Sequence, residues 1–294
     1  MTRNAERLRS FLGTAQAAAL VEVTEAKGST PRETGTRMLV SPQAIFGTIG
    51  GGQLEFMAID RARQMLAGSS PSAPRADLSS REGVTLDIPL GPEIGQCCGG
   101  RVGLTIRPVD EALRAELIAQ AKADDAASPH VYVFGGGHVG HAMAAAFALL
   151  PVQAVVVETR ADALDGMPDA VETRLTPVPE EMVREAPAGS AFVVLTHDHA
   201  LDFLIVAEAL KREDAAYVGM IGSRTKKATF KSWFIKTAGG TEETFARLVT
   251  PIGGDAVKDK RPAVIAALAA AEIMTALVAH GTASSQAHQG VSAG

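Results

Sequence analysis

A glycine-rich turn near the middle of the chain constrains the fold more than any other feature of the sequence. Gly135, Gly137 and Gly140 have the G-x-G-x-x-G spacing, directly after the apolar residues 131–134 and before the helix-like residues 138–150. In such a strand–turn–helix the first glycine makes the turn, the second lets a phosphate approach the backbone, and the third lets helix and strand pack closely. The pattern therefore predicts a phosphate-binding turn.

The second half of the chain alternates between short apolar segments and longer helix-like ones. Strands are predicted at 131–134, 154–158, 191–196 and 216–221, and helices at 138–150, 200–212, 224–237 and 262–280. This alternation is typical of βαβ units with a parallel sheet, so residues 126–294 are predicted to form a Rossmann-like domain. Glu158 ends the second strand, where an acid can accept hydrogen bonds from ribose hydroxyls. The alternative of a turn that binds nothing stays open, because a fold alone does not imply function.

The first half, residues 1–125, has the pattern of an α+β domain. Strands are predicted at 18–24, 37–40, 45–49, 84–89 and 101–107, and a helix at 53–66. Gly50, Gly51 and Gly52 precede that helix, and their backbone N–H groups could form a nest for an anion or simply a tight turn. Both domains together make the chain an α/β protein.

Two adjacent thiols form the second unusual loop of the first half. Cys97 and Cys98 lie between Gly95-Gln96 and Gly99-Gly100, not among hydrophobic residues. Thiols with bare backbone around them are open to soft metals or oxidation, although an inert turn is the competing interpretation. Adjacent cysteines also exclude the disulfide framework of a small secreted protein.

Charge and hydropathy exclude two further classes of protein. The chain has 294 residues and a net charge of −5 without a run of Lys and Arg, which disfavours nucleic acid as a partner. The alanine-rich residues 263–279 contain Glu272 and are short for a membrane span, so a packed helix is predicted. We therefore expect a cytoplasmic chain without a membrane partner.

Histidines follow two of the predicted strands. His138 begins the helix after the glycine turn, on the ligand side by its position, whereas His141 is predicted to be structural. His197 lies in Thr196-His197-Asp198-His199, directly after a strand. The ligand count and spacing of this segment are incomplete for zinc, so a loop that faces the Rossmann crevice is favoured.

Six motifs occur together in one order along the chain. They are Gly28-Ser29-Thr30-Pro31-Arg32, Gly50-Gly51-Gly52-x-x-Glu55, Gln96-Cys97-Cys98-Gly99-Gly100-Arg101, Phe134-Gly135-Gly136-Gly137-His138-Val139-Gly140, Thr196-His197-Asp198-His199 and Val218-Gly219-Met220-Ile221-Gly222-Ser223-Arg224. With this ordered set the chain resembles the XdhC/CoxI family over about residues 10–280. The match is weaker at residues 251–255.

The resemblance implies a non-enzymatic, accessory role. Members of the family bind the molybdenum cofactor, protect it while a cysteine desulfurase exchanges an oxo ligand for sulfur, and deliver it to xanthine dehydrogenase. It implies that the glycine turn with His138, or the Gly50–Gly52 loop with Glu55, takes the cofactor phosphate. It further implies that Cys98, with Cys97 and Gly99 beside it, meets the molybdenum or the dithiolene end of the cofactor, and that His197 and Arg224 contribute to the site.

The partners expected on this interpretation are xanthine dehydrogenase, a cysteine desulfurase and a second copy of the chain in a homodimer. A nucleotide is left open as an additional ligand of the Rossmann-like domain. The competing hypothesis is an NAD(P)-dependent oxidoreductase that uses the same glycine turn. Neither Tyr132 nor Tyr217 has a lysine four positions later, so the chemistry of short-chain dehydrogenases is absent.

Overall fold

A computed structural model describes residues 4–68, 83–91 and 99–291. The chain divides into two compact units, and the division falls between Asp124 and Asp125. Each unit has a sheet of its own, antiparallel in the first and parallel in the second. The α/β fold class predicted from the sequence is thereby confirmed.

The N-terminal unit is built on an antiparallel sheet. Its elements are α1 (Asn4–Thr14), β1 (Ala19–Lys27), β2 (Arg37–Val40), β3 (Ile45–Gly47), α2 (Gly52–Gly68), β4 (Val84–Pro89), β5 (Arg101–Pro108) and α3 (Glu111–Ala127). Over the described ranges the sheet has five strands in the order β3-β2-β1-β5-β4. Strand β1 lies at the centre because it pairs with both β2 and β5.

Helices cover both faces of this sheet. On one face Val21 and Val23 of β1 pack in the same core as Leu54 and Ala58 of α2. On the other face Leu20 belongs to a core that α1 and α3 supply, mainly through leucines and alanines. The alternation follows from the two-residue period of a strand, which sends successive side chains to opposite faces.

The C-terminal unit contains a parallel sheet. Its elements are β6 (His130–Phe134), α4 (His138–Phe147), β7 (Gln153–Glu158), a 3-10 turn (Ala161–Leu164), β8 (Glu172–Leu175), α5 (Pro179–Glu185), β9 (Ala191–Val194), α6 (His199–Lys211), β10 (Tyr217–Met220), α7 (Arg224–Lys236), α8 (Glu242–Ala246), β11 (Leu248–Val249) and α9 (Pro262–Val291). Within the described chain the strand order is β8-β7-β6-β9-β10-β11. This is the 3-2-1-4-5-6 order of Rossmann folds, in which ligands bind at the carboxyl ends of the strands where the order reverses. That reversal lies between β6 and β9.

Two cores lie on the two faces of the parallel sheet. Helices α4 and α9 supply one, through residues such as Phe147 and Ile273, and helices α5 to α8 supply the other, through residues such as Val206 and Phe230. The central strand β9 is apolar and buried along its whole length, as expected of a strand covered on both faces, and β6 is apolar and buried at Val131, Val133 and Phe134.

Helix α9 is the longest helix of the described chain and is rich in alanine. Residues Pro262–Thr282 are long and apolar enough to cross a membrane by length and composition, with a mean hydropathy of 2.0. One face of the same stretch is buried in the core, through Ala266, Ala269 and Ile273. Helix α9 therefore packs on its own unit, as the sequence predicts for a helix of this composition.

Candidate functional site

The glycine turn after β6 needs glycine at three positions for reasons of packing alone. Gly135 has a φ of +119°, and a Cβ there would come within 2.6 Å of the Leu195 carbonyl oxygen. A Cβ at Gly136 would overlap the carbonyl of Ala163, and one at Gly140 would overlap the carbonyl of Gly135 itself. These glycines allow strand, turn and helix to lie in contact, which is the structural half of the motif.

Gly137 differs from its neighbours because nothing in the fold requires it. It is exposed, its φ of −73° is open to any residue, and a Cβ there would have no other atom within 4 Å. It is the N-cap residue of α4, and no side chain caps this helix. The first N–H groups of α4 are therefore available to an anion that approaches over Gly137, with a favourable helix dipole behind them.

Glu158 holds this turn in place from the end of β7. The carboxylate is 5% exposed and accepts hydrogen bonds from the N–H groups of Gly136 (2.8 Å), Thr159 (2.8 Å) and Arg160 (3.2 Å). Burial alone would raise the pKa of Glu158, but these backbone donors outweigh it and lower the pKa below the ordinary value. The Thr159 hydroxyl donates to the same carboxylate at 3.2 Å, so four hydrogen bonds fill the roughly four acceptor positions of Glu158, and its role as an acceptor for a ribose hydroxyl stays a prediction.

The loop after β9 lies against the glycine turn. Thr196 approaches Gly135 so closely that a Cβ on the glycine would lie 3.1 Å from the Thr196 Cα. Asp198 caps α6 by accepting from the N–H of Ala200 at 2.8 Å, while His197 and His199 are exposed. Among the described residues there is no group of three or more His, Cys, Asp or Glu side chains that could hold a metal ion.

A buried ion pair joins the loops after β9 and β10. Asp202 Oδ1 accepts from the N–H and the hydroxyl of Thr196, at 3.0 and 2.7 Å. Asp202 Oδ2 accepts from Lys226, whose ammonium also donates to the Ile221 carbonyl at 3.0 Å. Arg224 stands exposed at the start of α7 in the same loop. The sequence analysis did not identify Lys226, because the two partners are separated along the chain and only strand pairing brings them together.

The loop at residues 28–32 of the N-terminal unit lies against the Gly99-Gly100 segment and the Gly50 turn. Gly100 lies against the backbone carbonyls of Lys27 and Ser29, so close that a Cβ there would overlap them. A Cβ at Gly50 would lie 2.6 Å from the Pro31 ring. The loop that contains residues 28–32 therefore packs on both glycine segments.

The nest predicted around Gly50–Gly52 already contains an anion from the chain itself. The Glu55 carboxylate accepts from the N–H groups of Ile49 and Gly51, both at 3.1 Å, and from the Thr48 hydroxyl. A phosphate could use these donors only after Glu55 had moved. Of the two loops predicted to take a phosphate, the turn at Gly137 is the one with donors open to solvent.

The predicted thiol site falls outside the residues that the structure describes. Cys97 and Cys98 belong to the undescribed residues 92–98. The description resumes at Gly99, which has a φ of +64° and whose N–H donates to the Leu90 carbonyl at 2.9 Å. The assignment of Cys98 as a ligand for molybdenum stays a prediction from the sequence.

The fold and the glycine turn define a Rossmann domain that is joined to an α+β domain. Residues 131–273 match the model of the XdhC Rossmann domain, and residues 12–75 match that of the XdhC and CoxI family. The two matches together cover more than half of the chain. The chain belongs to the XdhC and CoxI family, which confirms the resemblance drawn from its motifs.

Two individual proteins are similar over most of the chain. A crystal structure from Bacillus halodurans, described as a xanthine dehydrogenase, superposes with a TM-score of 0.76 at 15% identity over 95% of this chain and 96% of its own, which shows a shared fold. The Escherichia coli protein YqeB, described as uncharacterized, is 26% identical over 265 residues, or 87% of this chain. The chain spans 43% of the length of that curated relative.

Proposed function

We propose that this chain is an accessory protein that binds the molybdenum cofactor, protects it during sulfuration and delivers it to xanthine dehydrogenase. Membership of the XdhC and CoxI family suggests a role in xanthine dehydrogenase maturation, and the family's members are accessory proteins. The observation that carries the finer proposal is the open N-terminus of α4 at Gly137, because the cofactor ends in a phosphate.

The residues around Gly137 suit the phosphate end of the molybdenum cofactor. Gly137 offers an approach free of side chains to the uncapped N–H groups of α4. His138 is exposed on the first turn of that helix, and His197 and Arg224 are exposed at the ends of strands that continue the same edge of the sheet. These three side chains are proposed to approach the anion or the part of the cofactor next to it.

The residue proposed to ligate the metal end of the molybdenum cofactor is Cys98, with Cys97 beside it. Thiolate is a soft ligand that suits such a metal, and the cofactor supplies the oxo ligand that the desulfurase replaces with sulfur. Cys98→Ala should lower the amount of cofactor that co-purifies with the chain, whereas Cys97→Ala should lower it less. Equal retention in wild type and Cys98→Ala would remove this thiol from the site.

A protein that carries the molybdenum cofactor must bind the sulfur donor and the recipient enzyme in turn. We propose transient complexes with a cysteine desulfurase and with xanthine dehydrogenase, formed by a cytoplasmic homodimer, because a tight complex with the recipient would prevent turnover of the carrier. The test is a reconstitution in which apo xanthine dehydrogenase, molybdenum cofactor, desulfurase and cysteine are mixed with and without this chain. Equal recovery of activity in both mixtures would contradict the proposal.

The glycine turn can be tested in the same assay. Gly137→Val places a side chain where the phosphate would lie, and the open space around Gly137 predicts only a modest loss of stability. The matched control is Gly13→Val, because a Cβ at Gly13 of α1 also meets no atom within 4 Å. We expect Gly137→Val to lose cofactor binding and Gly13→Val to retain it.

One observation favours a second candidate, an NAD(P)-dependent oxidoreductase. The strand order of the parallel sheet and the acid at the end of β7, Glu158, are those of dinucleotide-binding domains. Titration with NAD(H) and NADP(H) separates the candidates. Saturable dinucleotide binding that Gly137→Val abolishes, together with no retention of molybdenum cofactor, would favour the oxidoreductase.

A further inference from the structure

A cavity of the C-terminal unit lies between α6 and α7. Its volume is about 580 Å³, within the range of about 300–1,000 Å³ that is usual for small-molecule sites. The lining comprises His199, Ala200, Phe203, Leu204, Ser223, Thr225, Lys226, Thr229 and Trp233. None of these residues belongs to the glycine turn at 135–140, so the cavity is a separate feature of the fold.

Aromatic rings dominate one wall of the cavity. The ring centroids of Phe203 and Trp233 are 5.7 Å apart with planes inclined by 32°, and Phe230 packs behind both at 5.1 and 6.0 Å. Phe230 is fully buried, whereas Phe203 and Trp233 are only partly covered. The wall is therefore aromatic and supported by the core, which favours a flat ring over a branched aliphatic group.

The charged group in the wall is already neutralised. The Lys226 ammonium is paired with Asp202 and also donates to the Ile221 carbonyl. A carboxylate or phosphate in the cavity would have to compete with a buried aspartate for this cation, at a high cost in free energy. The wall therefore favours an uncharged ligand.

Hydroxyl groups, together with the imidazole of His199, supply the polar groups of the lining other than Lys226. Ser223 Oγ accepts from the Lys226 N–H at 3.2 Å, which leaves its own O–H to donate. Thr225 adds a second hydroxyl from the first turn of α7. Both belong to residues that follow the carboxyl end of β10, the edge at which open α/β sheets bind ligands.

We propose that the cavity between α6 and α7 binds an uncharged, planar, bicyclic heteroaromatic molecule. The ring lies against Phe203 and Trp233, and its edge nitrogens or oxygens receive hydrogen bonds from Ser223 and Thr225. The site goes beyond cofactor delivery, since it uses neither the glycine turn nor the thiol loop. Its ligand needs no phosphate, because the lining contains none of the residues of the glycine turn.

The full-length chain provides its own reporter for this site. Trp233 is the one tryptophan of the sequence, so intrinsic fluorescence reports on the aromatic wall without labelling. The probes are adenine, hypoxanthine and quinoxaline as uncharged bicyclic rings, benzoate as a planar anion, and cyclohexanol as an uncharged ring that is not planar. We expect saturable quenching by at least one bicyclic probe, and binding to benzoate and cyclohexanol at least about tenfold weaker.

A matched pair of variants ties the signal to the cavity. Ala200→Leu adds volume to the wall from the first turn of α6, whereas Ala267→Leu makes the same change on an exposed position of α9. Ala200→Leu should weaken binding of the bicyclic probe about tenfold, and Ala267→Leu should leave it unchanged, with both variants folded by circular dichroism. Calorimetry on the same samples checks that quenching reports binding.

Three outcomes would overturn the proposal. One is the absence of saturable binding by all three bicyclic probes, and the second is equal binding of cyclohexanol, which would mean an apolar groove without selectivity for flat rings. The third is unchanged affinity in a folded Ala200→Leu variant. The Gly137→Val variant should bind the bicyclic probe like wild type, so failure of the cofactor proposal and failure of this one are separable.

Discussion

Lys226 and Asp202 form an ion pair that is almost completely withdrawn from solvent, with side-chain exposures of 8% and 0%. The pair connects two loops, because Asp202 also accepts from Thr196 after β9 and Lys226 also donates to Ile221 after β10. Both loops lie at the carboxyl edge of the parallel sheet, where the proposed ligands bind. The geometry of this edge therefore depends on a pair that lies away from Gly137, although Lys226 itself lines the cavity between α6 and α7.

Removal of the Lys226 ammonium should lower the free energy of unfolding much more than removal of a lysine ammonium at the surface. Lys226→Met leaves a buried carboxylate without its partner, and such changes lower the free energy of unfolding by about 3–5 kcal/mol. The control is Lys211→Met, which removes a solvent-exposed partner of Glu208 at 3.0 Å and should cost about 1 kcal/mol or less. Urea denaturation of both variants measures the difference, and equal losses would contradict the burial argument.

A substitution at Gly137 should abolish binding of the molybdenum cofactor without lowering the stability of the protein. Gly137 has the extended conformation of an N-cap residue, and aspartate is among the best N-cap residues, so Gly137→Asp should leave stability unchanged or raise it by a few tenths of a kcal/mol. The same carboxylate would occupy and repel the space of a phosphate, so we expect binding of molybdenum cofactor to be lost. Urea denaturation and calorimetry measure the two effects.

The control for that change is Gly137→Ser. Serine also caps a helix but is neutral and small, so its effect on cofactor binding should be clearly weaker than that of aspartate. If Gly137→Asp bound the cofactor as tightly as wild type, the N-terminus of α4 would not be the phosphate site. The N–H groups around Glu55 would then become the leading candidate.

Local patterns in the sequence predicted those parts of the site that local geometry determines. The spacing of Gly135, Gly137 and Gly140 reflects a single turn, and the apolar strands before and after it are readable because they are buried on both faces. Strand β8 was missed because all four of its residues are exposed and give no apolar run. Its existence depends on pairing with β7, which no local pattern records.

Contacts between side chains of distant segments could not be predicted from the sequence for the same reason. Three glycines before a helix predicted an anion nest, but the sequence could not show that Glu55 points back into it. Thr196 and Asp202 are close along the chain, yet Lys226 joins them only because β10 lies beside β9. The identity of a buried partner depends on tertiary packing, whereas the need for glycine depends on the turn.

Glu158 should make stability depend on pH in the acid range. Its pKa is lowered below the ordinary value of 4.5 because backbone donors from Gly136, Thr159 and Arg160 outweigh the effect of burial. A lowered pKa contributes stability that is present above the unfolded pKa and is lost as the pH falls through the folded pKa. Glu158→Gln removes this contribution, so wild type should exceed the variant in unfolding free energy at neutral pH.

The measurement for Glu158 is urea denaturation of both proteins at a series of pH values. We expect the difference between them to be constant above about pH 5 and to shrink below the unfolded pKa near 4.5. Comparing the two proteins cancels the contributions of other carboxylates whose pKa is lowered, such as Asp214 and Glu208. A difference that stayed constant down to strongly acid pH would mean that Glu158 is not ionised in the turn.

The hydroxyl of Tyr217 should make stability decrease as the pH rises in the alkaline range, whereas Glu158 makes it decrease as the pH falls in the acid range. Tyr217 is 5% exposed and donates to Glu272 of α9 at 2.5 Å. Burial, and then the hydrogen bond to Glu272 and its charge, raise the pKa of Tyr217 far above the ordinary value of 10.0. A raised pKa contributes stability that is fully present below the unfolded pKa and is lost as the pH rises towards the folded one. Wild type should therefore lose stability above about pH 10.

Tyr217→Phe tests this dependence. At neutral pH the variant should be less stable by about 1–3 kcal/mol, since the partly buried Glu272 loses its donor. Above pH 10 the gap between the two proteins should narrow, because phenylalanine has no proton to lose in the unfolded state. Tyr132→Phe is the control. Burial also raises the pKa of Tyr132, but Tyr132 is less buried than Tyr217. The gap for that variant should change less. Parallel pH profiles of wild type and Tyr217→Phe up to pH 11 would show that the phenol is not held neutral against α9, and the contact between β10 and α9 would need another explanation.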